Sequence, residues 1–326
     1  MHFLIIKTHY IAPVLYLVCI FLIPQLCEAA KIIVTASQVP LMTDNTTKKS
    51  LGLLSYRGGL LLTSKNSNFG GFSALGISSD GHRLIALSDR GSRLAGNLSY
   101  DKKGNLTGLR NTHLDQMTAP GGGVLLNRSL SDAEAMSPGV EGEIIVAFER
   151  QHRIWRYLPN NPEPKPIPSP RGIEKLPFNN GIESLALLSD GSLVAIAEGT
   201  VTSTETIGWI SNPRGWSPFT YKLSSGFRPT GAATLHNGDL IVLERFYTPT
   251  LGNKSRIRRI PKNIIRPGSE LDGSLLAELL PPGITENFEG IDARHNKEGH
   301  TYIYIISDDN FNKFQNTYLL MFKLVE

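Results

Sequence analysis

Three glutamates, Glu134, Glu183 and Glu289, occupy matching places in short apolar segments: Ala133-Glu134-Ala135-Met136, Ile182-Glu183-Ser184-Leu185 and Phe288-Glu289-Gly290-Ile291. Ser73 in Phe72-Ser73-Ala74-Leu75 and Thr230 in Pro229-Thr230-Gly231-Ala232 hold the same place. A second set of acids, Asp89, Glu149, Glu198, Glu244 and Asp308, closes the apolar run that follows each segment. Carboxylates brought together at this density repel one another, so they need a cation, arginine partners or bound protons. Hard oxygen donors call for Ca²⁺, with Mg²⁺ less favoured, and the expected ligands are Glu134, Glu183, Glu289, Asp308 and Asn310. The competing arrangement is a structural belt of ion pairs drawn from Asp89-Arg90, Glu149-Arg150 and Glu244-Arg245.

With a divalent cation, such a ring could run metal-assisted hydrolysis. The cation polarises an ester or phosphoryl oxygen, and an unligated carboxylate among Glu134, Glu183 and Glu289 serves as base. Arg90, Arg150, Arg228 and Arg245 are the candidates for holding an anionic substrate group by bidentate bonds. Other chemistries find little support. Gly71-Phe72-Ser73-Ala74-Leu75-Gly76 places its glycine one residue too late for a nucleophile elbow. The histidines form no His-Glu-x-x-His, and Gly121-Gly122-Gly123 lacks the lysine of a phosphate-binding loop. Asp308, Asn310 and Asn312 open like an EF-hand loop, but Lys313 and Leu319 stand where glycine and glutamate are required.

The elements that position these residues repeat five times: an apolar segment, a glycine turn, a β-branched strand and an acid. The turns are Asp80-Gly81, Glu141-Gly142, Asp190-Gly191, Asn237-Gly238 and Glu298-Gly299. The strands after them, such as Glu143 to Phe148, Leu240 to Leu243 and Tyr302 to Ile306, are short and nearly continuously apolar. That pattern suits strands covered on both faces, as in blades packed between blades. The expected fold is all-β, a β-propeller of five or six blades whose inner strands converge on one channel. Strands between Ile32 and Thr63 are expected either to complete the last blade beside Tyr318 to Phe322, so that N- and C-terminal strands share it, or to help form a sixth. Pro159 to Pro170 reads as a stiff inter-blade loop, and Ser92 to Leu130 as an insertion over the channel mouth. The basic run Lys254 to Arg259 reads as an outer strand with one solvated face.

Composition fits one such body, with 40% hydrophobic residues, 31 glycines and 20 prolines in 326 residues. Residues 1–30 read as a cleaved secretory signal, with an apolar stretch from Ile11 to Leu26 and small residues at Ala29 and Ala30, leaving 31–326 as a single domain. Both cysteines, Cys19 and Cys27, fall within that signal, which removes thiol chemistry and disulfides and favours a bacterial periplasmic or secreted setting. A net charge of +4 supplies no nucleic-acid arm and no membrane-binding stripe. The expected partner is a small anionic or ester substrate, the expected state is a monomer, and no stable membrane insertion follows signal removal.

The segments Gly71 to Leu75, Asp89-Arg90-Gly91, Asp132-Ala133-Glu134-Ala135, Asn180 to Leu185, Arg228-Pro229-Thr230-Gly231, Asn287 to Ile291 and Ser307 to Phe311 together resemble the bacterial phytase-like proteins, described as phytases with esterase-like activity. The likeness runs from about Phe69 to Leu324. It implies a secreted β-propeller and a metal-dependent hydrolase of esters or phosphoesters. The alternative from another class is a non-catalytic periplasmic binding or scaffold propeller, its acid-arginine belt structural and its loops docking a partner through Trp155, Trp209 or Trp216.

Overall fold

The glycine turns do what their residues dictate. In a computed structural model that describes residues 30–159 and 161–325, Gly81 and Gly238 adopt φ of 76° and 90°. Asp80 and Asn237 accept from the backbone N–H two residues on, at 2.9 Å from His82 and 3.1 Å from Asp239. Side-chain closure plus a left-handed glycine fixes each hairpin tightly. Residues 1–29, which hold the expected signal and both cysteines, lie outside the described residues.

Five antiparallel blades result. The first runs outward from Phe72–Ile77 through Arg83–Ser88 and Ser92–Tyr100 to Leu106–Gln116, with Ala30–Lys31 beyond. The second comprises Ala133–Pro138, Ile144–Phe148, Arg153–Leu158 and Asn161–Ile167. The third comprises Ile182–Leu187, Leu193–Ala197, Glu205–Asn212 and Gly215–Lys222, joined in parallel by Glu270–Leu271. The fourth comprises Arg228–Thr234, Leu240–Thr248, Gly252–Ile260 and Ser274–Leu279. The fifth starts with Phe288–His295, Thr301–Ser307 and Thr317–Leu324, and Leu54–Thr63 and Thr35–Val39 lie beyond them. The innermost strands touch in sequence, and that of blade five meets that of blade one.

The continuous apolar runs are explained by alternation between two neighbours. Ile144, Val146 and Phe148 pack toward blade one, while Ile145 and Ala147 pack toward blade three. Five hydrophobic clusters arise this way, one between each pair of adjacent blades. Trp155 and Trp209 are buried in two of them, and Trp216 packs against the edge of one and donates to the Pro168 carbonyl at 2.6 Å.

Three expectations need correction. The prolines of Asn161–Ile167 form the outermost strand of blade two, not a loop; an edge strand tolerates proline because its outward N–H groups are not needed for pairing. Ser92 to Leu130 supplies two ordinary strands of blade one before its loop begins. The basic run is not solvated on its alternating face, since Arg256 and Arg258 are buried against an acid between blades three and four.

Candidate active site at the channel mouth

Each innermost strand slips its register against its neighbour at one residue. The skipped residues are Ser73, Glu134, Glu183, Thr230 and Glu289, one per blade. A β-bulge leaves its extra residue out of the ladder and re-aims its side chain. Ser73 Oγ donates to the Ala133 carbonyl of the next blade, and Thr230 Oγ1 donates to the Phe288 carbonyl at 3.1 Å. At these two places the bulge ties adjacent inner strands together. The three glutamates put carboxylates at the same level instead. Close approach of the strands is enforced by glycine: a Cβ at Gly231 would stand 2.4 Å from the Glu289 carbonyl oxygen. Little room is left beside the ring, about 10 Å³ bounded by Ser73, Glu183, Thr230 and Glu289 among others, enough for one water-sized occupant.

The second level is set by backbone bonds. The N–H groups of Asp89, Glu149, Glu198 and Asp308 donate to the carbonyls of Gly71, Asp132, Gly181 and Asn287 at 2.8 to 3.1 Å. In blade four the corresponding pair is Arg228 and Arg245. Arg245 therefore stands in register with the acids, and Glu244, expected there, is one position early. Glu244 is wholly buried between blades three and four, where Arg256 and Arg258 pair with it and Tyr221 Oη of blade three donates to it at 2.7 Å. Strand alternation is the cause: moving one residue turns the side chain to the other face.

The arginines expected to hold substrate already have partners. Arg228 Nη1 lies 2.5 Å from Glu198 Oε1, and Arg245 Nη2 lies 3.8 Å from the same atom and 3.7 Å from Glu289 Oε1. Arg150 pairs with Asp132 and lies over the Phe178 ring. Arg90 is exposed and stacks on Phe311, its guanidinium carbon 3.4 Å from the ring centroid. Asn310 is exposed, its backbone N–H donating to Asp308 Oδ1 at 2.6 Å and its side chain bonding Gln315 at 3.3 Å.

Burial dominates the electrostatics of the ring. It pushes Glu149 up to about 7, with Asp132 and Glu198 adding repulsion against the Gly181 N–H and Arg150. Glu289 is raised to about 6, burial outweighing the help of Arg245 and Asn287. Glu134 and Glu183 are held well above the usual carboxylate range by burial and then by neighbouring acids. Asp308 is raised by burial and by Glu289. Glu134 lies deep in the molecule yet keeps partial exposure.

One group of oxygens converges. Asp132, Glu134 and Glu149 each offer a carboxylate oxygen within 4.8 Å of the others. This set shares only Glu134 with the expected ligands. Asp132 and Asn287 were missed by sequence reasoning; both lie two residues before a ring glutamate, in Asp132-Ala133-Glu134 and Asn287-Phe288-Glu289, and that spacing was the available signal.

A protein of unknown function from Dyadobacter fermentans DSM 18053 is 13% identical, with 91% of this chain and 93% of that one covered and a TM-score of 0.43. A gluconolactonase from Xanthomonas campestris is 12% identical, with 91% and 95% covered and a TM-score of 0.42. A β-propeller domain from Myceliophteria thermophila is 11% identical, with 90% and 100% covered and a TM-score of 0.41. No curated protein matches the chain. The phytase-like family model, described as "Esterase-like activity of phytase", matches residues 67–311, and the chain belongs to that family.

Proposed function

We propose that the chain is a hydrolase of esters or phosphoesters acting at the acid-lined channel mouth with a bound divalent cation, Ca²⁺ before Mg²⁺. The observation that carries this reading is the convergence of Asp132, Glu134 and Glu149 on one point, with Arg150 the only arginine paired to any of the three among the described residues. The donors are all carboxylate oxygens, which suits a hard cation. Asp132, Glu134 and Glu149 would hold it, and when bound it supplies Lewis-acid polarisation and a more acidic water.

The chain's own residues supply the rest. Glu183 belongs to no cation cluster, is buried, and retains its proton more readily than a free carboxylate, the property a general acid-base needs near neutral pH. Arg228 and Arg245 fix Glu198 and Glu289 in place. Arg90, unpaired with any carboxylate among the described ion pairs, is the arginine best placed to meet an anionic group arriving from solvent. The same reading has the ring closed through the N-terminal strands, supported by pairing of Leu54–Thr63 with Thr317–Leu324, and a monomer in the periplasm or secreted, the location supported by the composition of residues 1–30.

The test is hydrolysis of p-nitrophenyl esters and phosphates by metal-stripped and Ca²⁺-loaded protein. Cation-dependent turnover that Glu134→Gln and Glu183→Gln each abolish supports the reading. A second reading, a non-catalytic propeller with a structural belt, is favoured by the carboxylate partners of Arg150, Arg228 and Arg245. It gains if no substrate turns over while the variants stay folded.

A further inference from the structure

Arg90 lies on Phe311 where blade five meets blade one, and the backbone is bent to keep the ring there. Asn310 and Phe311 both take left-handed φ, 49° and 50°, which residues other than glycine rarely adopt. Asp309 holds this turn. Its Oδ1 accepts from the N–H groups of Phe311 at 3.0 Å and Gly71 at 2.8 Å, and its Oδ2 accepts from Thr317 Oγ1 at 3.1 Å. Gly70 and Gly71 leave the room: a Cβ at Gly70 would meet the Asp309 carboxylate, and one at Gly71 would meet the Phe311 ring and Asp89 Oδ1. A strained turn from one blade and a glycine pair from the next thus present an aromatic face to one arginine. Backbone strain over-determined in this way clusters at ligand-holding positions.

A guanidinium lying on a ring keeps its N–H donors in its own plane, where they match a carboxylate or phosphate bidentately. Among the described residues no ion pair or side-chain hydrogen bond engages those donors in Arg90. The acids beside it are taken: Asp309 holds the turn, and Asp89 Oδ2 has Arg128 Nη2 at 3.4 Å. Arg128 is exposed, and its one-turn helix, Arg128–Ser131, is capped by Asp132 of the carboxylate cluster. Asp89 is itself raised by burial and then by Asp132, as neighbouring carboxyls are. Two exposed arginines therefore adjoin Asp89 beside that cluster. We infer that Arg90, aimed by Phe311 and backed by Arg128, forms an oxyanion site that anchors a carboxylate or phosphate which the substrate carries apart from the bond to be cut. Phe311 is then a positioning residue that sets a preference for anionic over neutral esters. The anchoring role rests on the hydrolase reading; the binding of the anion does not.

The experiment has two arms. Glutarate and inorganic phosphate are titrated calorimetrically into metal-stripped full-length chain, as wild type, Arg90→Met, Phe311→Leu and Phe311→Tyr. Wild type should bind at least one of the anions, which tells carboxylate from phosphate. Affinity should fall about tenfold or more in Arg90→Met and Phe311→Leu and be kept in Phe311→Tyr. Arg90→Met carries the test if Phe311→Leu fails to fold. No binding of either anion by wild type, or wild-type affinity in both Arg90→Met and Phe311→Leu, overturns the site. The second arm compares turnover of p-nitrophenyl butyrate by Ca²⁺-loaded protein with that of an ester carrying the anion that bound, mono-p-nitrophenyl glutarate for a carboxylate or p-nitrophenyl phosphonooxybutyrate for a phosphate. A lower KM for the anionic ester, lost in Phe311→Leu, supports the anchor. Equal KM values for two esters that both turn over overturn it and leave the hydrolase reading standing. Anion binding with no turnover of any p-nitrophenyl ester or phosphate keeps the site and removes the hydrolase reading.

Discussion

Arg245 occupies in the fourth blade the position that Glu198 occupies in the third, and its guanidinium reaches back to within 3.8 Å of that carboxylate. One blade thus places a positive charge in a ring that the other four make negative. Replacing Arg245 by Met should lower stability by about 2 kcal/mol, less than for a fully buried pair because the side chains keep some contact with water. Arg245→Glu should be worse in the metal-free protein and should recover part of the loss on adding Ca²⁺. Thermal melts of the two variants, with and without the ion, check both statements.

The ring acids also set a pH dependence. The folded pKa values of the ring glutamates lie above the unfolded value of 4.5, with Glu289 near 6 and Glu149 near 7. Between those limits the folded chain holds more protons than the unfolded one, so their contribution to stability falls as pH rises from about 4.5 through about 7. A divalent cation replaces the protons. Ca²⁺ should therefore raise the Tm more at about pH 8 than at about pH 5; an equal gain at both would detach the cation from these acids.

Asp292 supplies a separate and smaller-scale test, away from any cation cluster. Burial raises it from 3.8 to about 7, although its oxygens accept from the Ile77 and Ala293 N–H groups at 2.6 and 2.8 Å. The same sign applies: its contribution to stability declines between about pH 4 and pH 7, by roughly 4 kcal/mol in all. Asp292→Asn should remove that part of the slope, read as the difference between wild-type and variant denaturation midpoints across the range.

Ser73 and Thr230 should behave as inter-blade ties. Ser73→Ala and Thr230→Val each lose one buried hydrogen bond, about 1–2 kcal/mol, from denaturant titrations. Any turnover the wild type shows should survive in both. Loss of turnover in Ser73→Ala at unchanged stability would restore the serine as a nucleophile.

Glu244→Gln should cost about 3 kcal/mol, because Arg256 and Arg258 would be left buried beside a neutral group, yet Ca²⁺ stoichiometry should not change. Reduced cation binding in a folded Glu244→Gln would mean that it reaches the channel after all.

The contrast between Glu244 and Arg245 shows what was legible in the sequence. Five turns and five apolar runs were visible because glycine and β-branched side chains are demanded locally. The glutamates of the inner strands were visible because a carboxylate in an apolar segment stands out. The register of Arg245 was not, since it depends on the bulge at Thr230, and a one-residue slip leaves the composition of a strand unchanged. Asn287 and Asp132 escaped for a related reason: their importance comes from what a bulge two residues later brings beside them. The Asn161–Ile167 strand was hidden by its prolines, which look like a loop until an edge position is known.

The recurrent bulge has a further consequence. It is present whether the skipped residue is Ser, Thr or Glu, so the backbone, not the side chain, creates it. Each blade thus offers an interchangeable socket at a fixed height in the pore. Charge number and acidity there can be rewritten by single substitutions without rebuilding the sheets, a form of evolvability held in the main chain.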